Sequence, residues 1–302
     1  MAGPVPKSSA SAPNSIAIFD RYALRRHRAR AARRDADSDF LFHDGAERLL
    51  DRLADIKRVF TRALDLDSRD SRIAERLRAM GIETVVAGAI TGALRVDPEA
   101  LPFAPASFDL VTSSLAFHWI NDLPGTLLQL RRILKPDGLL LVNLFAGETL
   151  EALRVAWLEA ESEIENGASP RISPFADPRD LAGLLQRAGF ALPVVDSDRV
   201  TVDYPDLWKL MRDLRAMGET NATALRHRHF TRRATLLRAA EIYRARFGDK
   251  EGRIPAEFEI ATLTAWAPHE TQPRALRPGS ANARLAEALG TEERPAGDKA
   301  TP

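Results

Sequence analysis

Apolar residues along the chain fall into short unbroken runs that alternate with longer stretches of helical spacing. TRALDL (61–66), ETVVAG (83–88), FDLVTSS (108–114) and the apolar run 139–145 read as strands, and FDLVTSS is bounded by turn residues, as a strand buried on both faces is. Between them, IAERLRAM (73–80) reads as a helix closed by Gly81. A second helix over 124–134 places Leu127, Leu128, Leu130, Ile133 and Leu134 on one side, and Lys135-Pro136-Asp137-Gly138 ends it. Strand and helix alternating at this spacing predict an α/β fold with a doubly wound, mostly parallel sheet and right-handed crossovers. Ligands of such sheets bind outside the carboxyl ends of the strands, where the strand order reverses. The segment 89–100 is too short to assign.

The flanks carry different patterns. Residues 1–15 and 279–302 are rich in Pro, Ala, Ser, Gly and charge without periodicity, and read as disordered tails. Residues 16–58 hold two helices. The first, 18–34, is basic with seven arginines and reads either as a solvated face or as a docking surface for an acidic partner. The second, 40–57, repeats apolar residues at helical spacing and is expected to pack on the sheet. The α/β core is placed at 59–200 and a C-terminal part completing the domain at 201–278. Beyond the core, the pattern predicts helices at 149–166, from Asp177-Pro178 to Gly189, at 206–217 and at 231–247. It also predicts a hairpin over 193–205 and a closing strand at 258–266.

Composition narrows the chemistry. The 302 residues are 45% apolar, enough for a real core. A formal net charge of +1 gives no global drive toward nucleic acid or a membrane surface. With no cysteine there is no disulfide, thiol nucleophile or cysteine-held metal. No apolar stretch approaches the roughly 20 residues of a membrane span. Residues 1–15 lack an apolar secretory core, so the expected compartment is the cytoplasm. The six histidines form no HxH, HxxxH or HExxH pair apart from His227-Arg228-His229, read as surface residues, so no metal site is expected. No GxSxG or P-loop element is present.

A nucleotide-type pocket needs a glycine loop after the first strand, for positive φ and for close approach of the ligand. Here that loop reads Asp67-Ser68-Arg69-Asp70-Ser71. Asp67 or Ser68 suits a helix cap, Asp67 and Asp70 repel an anion, and Arg69 fills space. Both a remodelled working pocket and a lost one are open. The second strand ends in Ala87-Gly88-Ala89, without the acid that takes ribose hydroxyls. Asp97, before a Leu-Pro-Phe turn, is placed to accept from an adenine amino group, or is a simple turn residue. His118-Trp119 follows the FDLVTSS strand at the site edge, as a packed pair or as pocket lining.

FDLVTSSLAFHWINDLP followed by RRILKPDGLLLVN resembles the class I S-adenosylmethionine-dependent methyltransferases. The resemblance is to the branch with malonyl-acyl-carrier-protein O-methyltransferase and the complex I assembly-factor arginine hydroxylase. It extends through FDR (19–21), AGETLEALR (146–154), SPRISPFADPRDLAGLLQRAGF (169–190), VDYPDLWKLMRDLRAMGETNA (202–222), IPAEFEIATLTAW (254–266) and PGSA (278–281), about 260 residues. It implies a Rossmann-like sheet with N-terminal helices and a C-terminal extension, and S-adenosyl-L-methionine as cofactor. It implies that Asp65, Asp97, Ser114 and Leu115 line the cofactor pocket by matching residues, and Asp67 and Ser68 by location. No catalytic residue is named by it, and His118, Trp119 and Tyr204 are the pocket candidates. The implied partner is a protein substrate such as a complex I subunit. The other reading is a non-catalytic assembly factor or binding module with the same fold.

Overall fold

The computed structural model describes residues 17–33, 38–89 and 92–273, with residues 287, 290 and 291. The described residues up to Pro268 form one compact unit and those from His269 onward another. The readings of 1–15 as a tail and of PGSA at 278–281 lie outside the described residues, as does all but three positions of 279–302. Among the described residues no helix is long and apolar enough to cross a membrane.

In the first unit the strands are β1 (Arg62–Leu66), β2 (Glu83–Gly88), β3 (Leu94–Arg95), β4 (Phe108–Ser114), β5 (Leu134–Ala146), β6 (Ala191–Tyr204) and β7 (Ile254–Trp266). They form one sheet in the order β3-β2-β1-β4-β5-β7-β6. β1 to β5 run parallel, and β7 is antiparallel to both β5 and β6. This is the doubly wound, mostly parallel Rossmann-like sheet that the alternation predicts. The order reverses between β1 and β4, which puts the switch point above their carboxyl ends.

The helices are α1 (Arg21–Ala31), α2 (Phe40–Asp55), α3 (Arg72–Ala79), α4 (Leu123–Ile133), α5 (Glu151–Glu165), α6 (Pro178–Arg187), α7 (Leu207–Met217) and α8 (Arg233–Phe247). Asp20, Asp122, Asp177 and Asp206 cap α1, α4, α6 and α7 by accepting from first-turn backbone N–H groups. One sheet face packs against α4 and α6 through residues such as Leu127, Leu130, Leu181 and Leu185. The other receives α2 and α3 through Leu49, Leu53, Ile73 and Leu77. A third cluster joins α5, α7 and α8 to the ends of β5, β6 and β7. All seven residues of β4 are buried, as in a strand covered on both faces.

Three expectations are corrected. Residues 193–205 are not a hairpin but part of the single strand β6, paired with β7 from Ala191 to Tyr204. As the sheet's edge, β6 alternates exposed and half-buried positions, so Asp196, Ser197 and Asp198 are solvent-side strand residues rather than a turn. Lys135-Pro136-Asp137-Gly138 does turn the chain, with Asp137 at φ 61°, yet it is an irregular start of β5 rather than a separator before it. The basic helix is not simply solvated: Arg28 is 5% exposed and lies inside.

Candidate functional site

Above the switch point the loop after β1 has folded onto its own charges. Asp67 occupies left-handed backbone, φ 57°, where a cofactor loop places glycine; aspartate tolerates this conformation better than most residues. Its carboxylate accepts from Arg28 Nη1 at 2.5 Å and from the Ala89 backbone N–H at 3.0 Å. Both partners of that ion pair are buried, at 5% and 6% exposure. Ser68 donates to Asp65 and accepts from the Ser114 N–H at 3.0 Å. Neither residue caps α3; Asp70 does the nearest equivalent, accepting from the Arg72 N–H. That corrects the cap expectation, and the reason is that Arg28 and Asp65 outcompete the helix end for these side chains.

Arg69 crosses the crevice. It lies over the Phe42 ring at 4.5 Å, donates to the Met217 carbonyl at 2.7 Å and pairs with Glu219 at 3.2 Å. Burial lowers its pKa to about 10, leaving it a cation at any working pH. Glu219, in the loop after α7, also accepts from His118 Nε2 at 3.0 Å and Trp119 Nε1 at 2.8 Å. Burial alone would raise its pKa, but His118, Arg69 and Arg28 hold it at about 2. His118 is shifted down, chiefly by burial; its Nε2 faces the Glu219 carboxylate, and its Nδ1 has no partner among the described residues.

Asp65, at the end of β1, is 1% exposed and accepts from Ser68 and from Thr112 Oγ1 at 3.0 Å. Burial pushes its pKa up to about 6. An Asp65→Asn substitution tests this. A raised carboxyl pKa costs nothing below the unfolded value of 3.8 and costs stability progressively as pH rises toward 6. The variant should match the parent at acid pH and gain roughly 1–3 kcal/mol above pH 6, read by urea denaturation.

Ser114 and Leu115 are pinned together with α2. Asn143 Oδ1 accepts from the Ser114 hydroxyl and the Leu115 N–H, both at 3.0 Å, and its Nδ2 donates to the Gly45 carbonyl at 2.7 Å. Gly45 is required by this approach, because a Cβ there would meet Leu115 Cδ1 at 2.9 Å. Asp97 lies apart, toward α1. It accepts from the Glu99 N–H and pairs with Arg21, both side chains partly exposed.

Beside this crevice lies a cavity of about 690 Å³ between α5, α7, α8 and the strand ends. Trp119, Phe145, Trp157, Phe175 and Phe258 make its aromatic walls, and Glu219 is the one carboxylate among the described lining residues. Of the three pocket candidates, Trp119 lines it. His118 stands behind the wall against Phe145 and Phe175, with ring centroids 4.9 and 6.0 Å away. Tyr204 is buried in the helical cluster beyond it, its hydroxyl unpartnered and its pKa raised by burial. His227, read as a surface residue, also lines the cavity. The sequence reading missed Glu219, Arg28 and Asn143. For Glu219 there was a signal: two adjacent buried side chains bearing N–H groups, His118 and Trp119, require an acceptor.

A family model described as a methyltransferase domain matches residues 45–142, from α2 through β5. The arginine-hydroxylase NDUFAF5, mitochondrial, of Danio rerio is 38% identical over 295 residues, covering 92% of each chain. This chain belongs to the methyltransferase-domain family. Within that family it is also 32% identical to the malonyl-[acyl-carrier protein] O-methyltransferase of Halorhodospira halophila, over 87% of this chain and 93% of the other. A solved structure of a candidate methyltransferase from Bacillus halodurans shares the fold, with TM-score 0.51 and 18% identity over 74% of this chain and 99% of the other. The family expected from the motifs is the family found, in both of its named branches. The cytoplasmic expectation is overturned, because the NDUFAF5 relatives from fish and mammals are mitochondrial proteins.

S-adenosylmethionine can be tested against these residues. The loop offers no glycine cradle, and the Asp67 carboxylate there is taken up by Arg28 and the Ala89 N–H. Other groups do fit. The Arg21–Asp97 pair is partly exposed and worth about 0–1 kcal/mol, so Asp97 is readily released to a ligand. Two buried nitrogens of Arg28, Nε and Nη2, find no acceptor among the described residues.

Proposed function

We propose that this chain is an S-adenosylmethionine-binding enzyme that modifies an arginine side chain of a respiratory complex I subunit during assembly. The observation that carries the reading is the position of Glu219. Its carboxylate is bonded to Arg69, which belongs to the loop over the switch point, and it also lines the neighbouring cavity. One ionised group thus joins the place where a cofactor of this fold sits to the place where an acceptor side chain enters. The likeness to a relative named arginine hydroxylase supports arginine as the acceptor.

The cofactor, when bound, supplies an electrophilic methyl group. Asp65, Asp97, Ser114 and Leu115, with Asp67 and Ser68, are the residues proposed to surround it. The chain's own part is placement and exclusion of water. Aromatic walls suit the flat face of a guanidinium, and Glu219, ionised down to about pH 2, is the one carboxylate that the described lining sets against Arg171, Arg212, Arg215 and Arg226. Trp119 and His118 hold that carboxylate at its place through their N–H groups.

Deleting the gene and measuring assembled NADH:quinone oxidoreductase tests the reading. Loss of the assembled complex, restored by the parent chain but not by Glu219→Gln, is expected. The target arginine should lose a methyl-sized mass increment in the deletion strain. Full assembly in the deletion strain would refute the proposal.

A further inference from the structure

Arg28 reaches into the crevice from α1 and uses only half of its guanidinium. Nη1 donates to Asp67. Nε–H and Nη2–H are sealed from solvent and meet no acceptor. Those two N–H groups form the side-on edge of the guanidinium, the parallel pair that takes both oxygens of a carboxylate. A counter-charge for Asp67 needs one edge of an arginine and would leave the other facing water, as surface arginines do; here both edges are buried. His118 Nδ1 is a further buried group without a partner. Arg28 is among the charges that act on His118 and on Glu219, so these groups are near neighbours.

Around that edge Arg28 and Arg69 face Asp67 and Glu219, and Asp39 acts on Arg69 as well. Anions are thus already in the majority, and an amino-acid head group, with one charge of each sign, adds less to them than a phosphate or a bare anion does. The loop that would otherwise hold such a carboxylate with backbone N–H groups has no glycine to bring them close.

We infer, on the reading that this chain binds S-adenosylmethionine, that Arg28 is the residue that holds the cofactor's α-carboxylate. It takes over from α1 the role that the glycine loop has lost, with Asp67 as the residue that positions it. The buried Arg28–Asp67 pair stays in place on binding, while the exposed Arg21–Asp97 pair opens.

Calorimetry with two probes separates this from a structural role. S-adenosylmethionine carries the carboxylate; 5′-deoxy-5′-methylthioadenosine has the same adenosine and sulfur but no amino-acid end. In Arg28→Met, affinity for the first should fall by at least about tenfold and affinity for the second should stay within about twofold. Arg28→Lys, which keeps the charge and loses the paired edge, should fall between for the first probe only. Thermal melting of each variant reports folding, and Arg28→Lys carries the test if Arg28→Met does not fold. Equal loss for both probes would make Arg28 a structural latch and overturn the assignment. So would unchanged affinity for both. If the parent chain binds neither probe, the assignment and the cofactor half of the proposed function fall together, while the partner half still stands on complex I assembly in the deletion strain.

Discussion

Replacing Glu219 with alanine is expected to lower the free energy of unfolding by about 3–5 kcal/mol, measured as a shift of the urea midpoint at unchanged slope. The carboxylate is 6% exposed and serves Arg69, His118 and Trp119 at once. Alanine removes the acceptor for all three and leaves the Arg69 cation with only the Met217 carbonyl and the Phe42 face. Removing one partner of a buried charge pair costs more than the pair itself is worth, because the other charge stays buried. Glu219→Gln keeps an acceptor oxygen and should cost less. The same residue gives the protein an acid limit. Its pKa falls from 4.5 unfolded to about 2 folded, so its contribution is full above pH 4.5 and is lost as pH falls toward 2. Asp65 acts in the opposite direction between 3.8 and about 6. Together they place the stability maximum contributed by this site near pH 4 to 5, on the acid side of neutrality.

The second large effect is expected at Asn143. Substitution by alanine should cost about 2–4 kcal/mol, by the same measurement, from the loss of three buried hydrogen bonds and a small cavity. The Ser114 hydroxyl and the Gly45 carbonyl lose their side-chain partner. Leu115 sits at φ 50°, a conformation that leucine rarely adopts, and Asn143 is what holds it there through a second bond to its N–H. If the variant is as stable as the parent, the end of β4 is fixed by packing alone.

How much of this was legible in the sequence differs between fold and site. β2 and β4 are found at their observed limits because both carry apolar, β-branched runs closed by turn residues. The starts of α6 and α7 follow from Asp177-Pro178 and Asp206, whose side chains cap them. The sequence reading failed on β6 because alternation at a sheet edge and a polar turn look alike when Asp, Ser and Asp stand in a row; only pairing with β7 distinguishes them. At the site, Asp67 and Arg69 were recognisable as foreign to a glycine loop, and Arg69 was expected to fill space, as it does. The partners that make sense of them were not legible. Arg28 is one of seven arginines in a basic stretch, and Glu219 one acid in a polar loop. Each acquires a role from a residue 39 or 150 positions away.

The close approach of α1 to the loop after α7 has a consequence for the order of folding. Asp20 N–H donates to the Ala222 carbonyl, Ala224 N–H to the Ile18 carbonyl, and Arg226 to Asp20, across about 200 residues of sequence. Gly218 permits the contact, since a Cβ there would stand 3.1 Å from that of Ala31. Contacts between such distant segments carry the largest loop-closure entropy and form late. The sheet can assemble with the crevice still open, and the N-terminal helix is the piece that seals it afterwards. A nascent chain of this design holds its basic helix in reserve until the segment around Ala222 has been made.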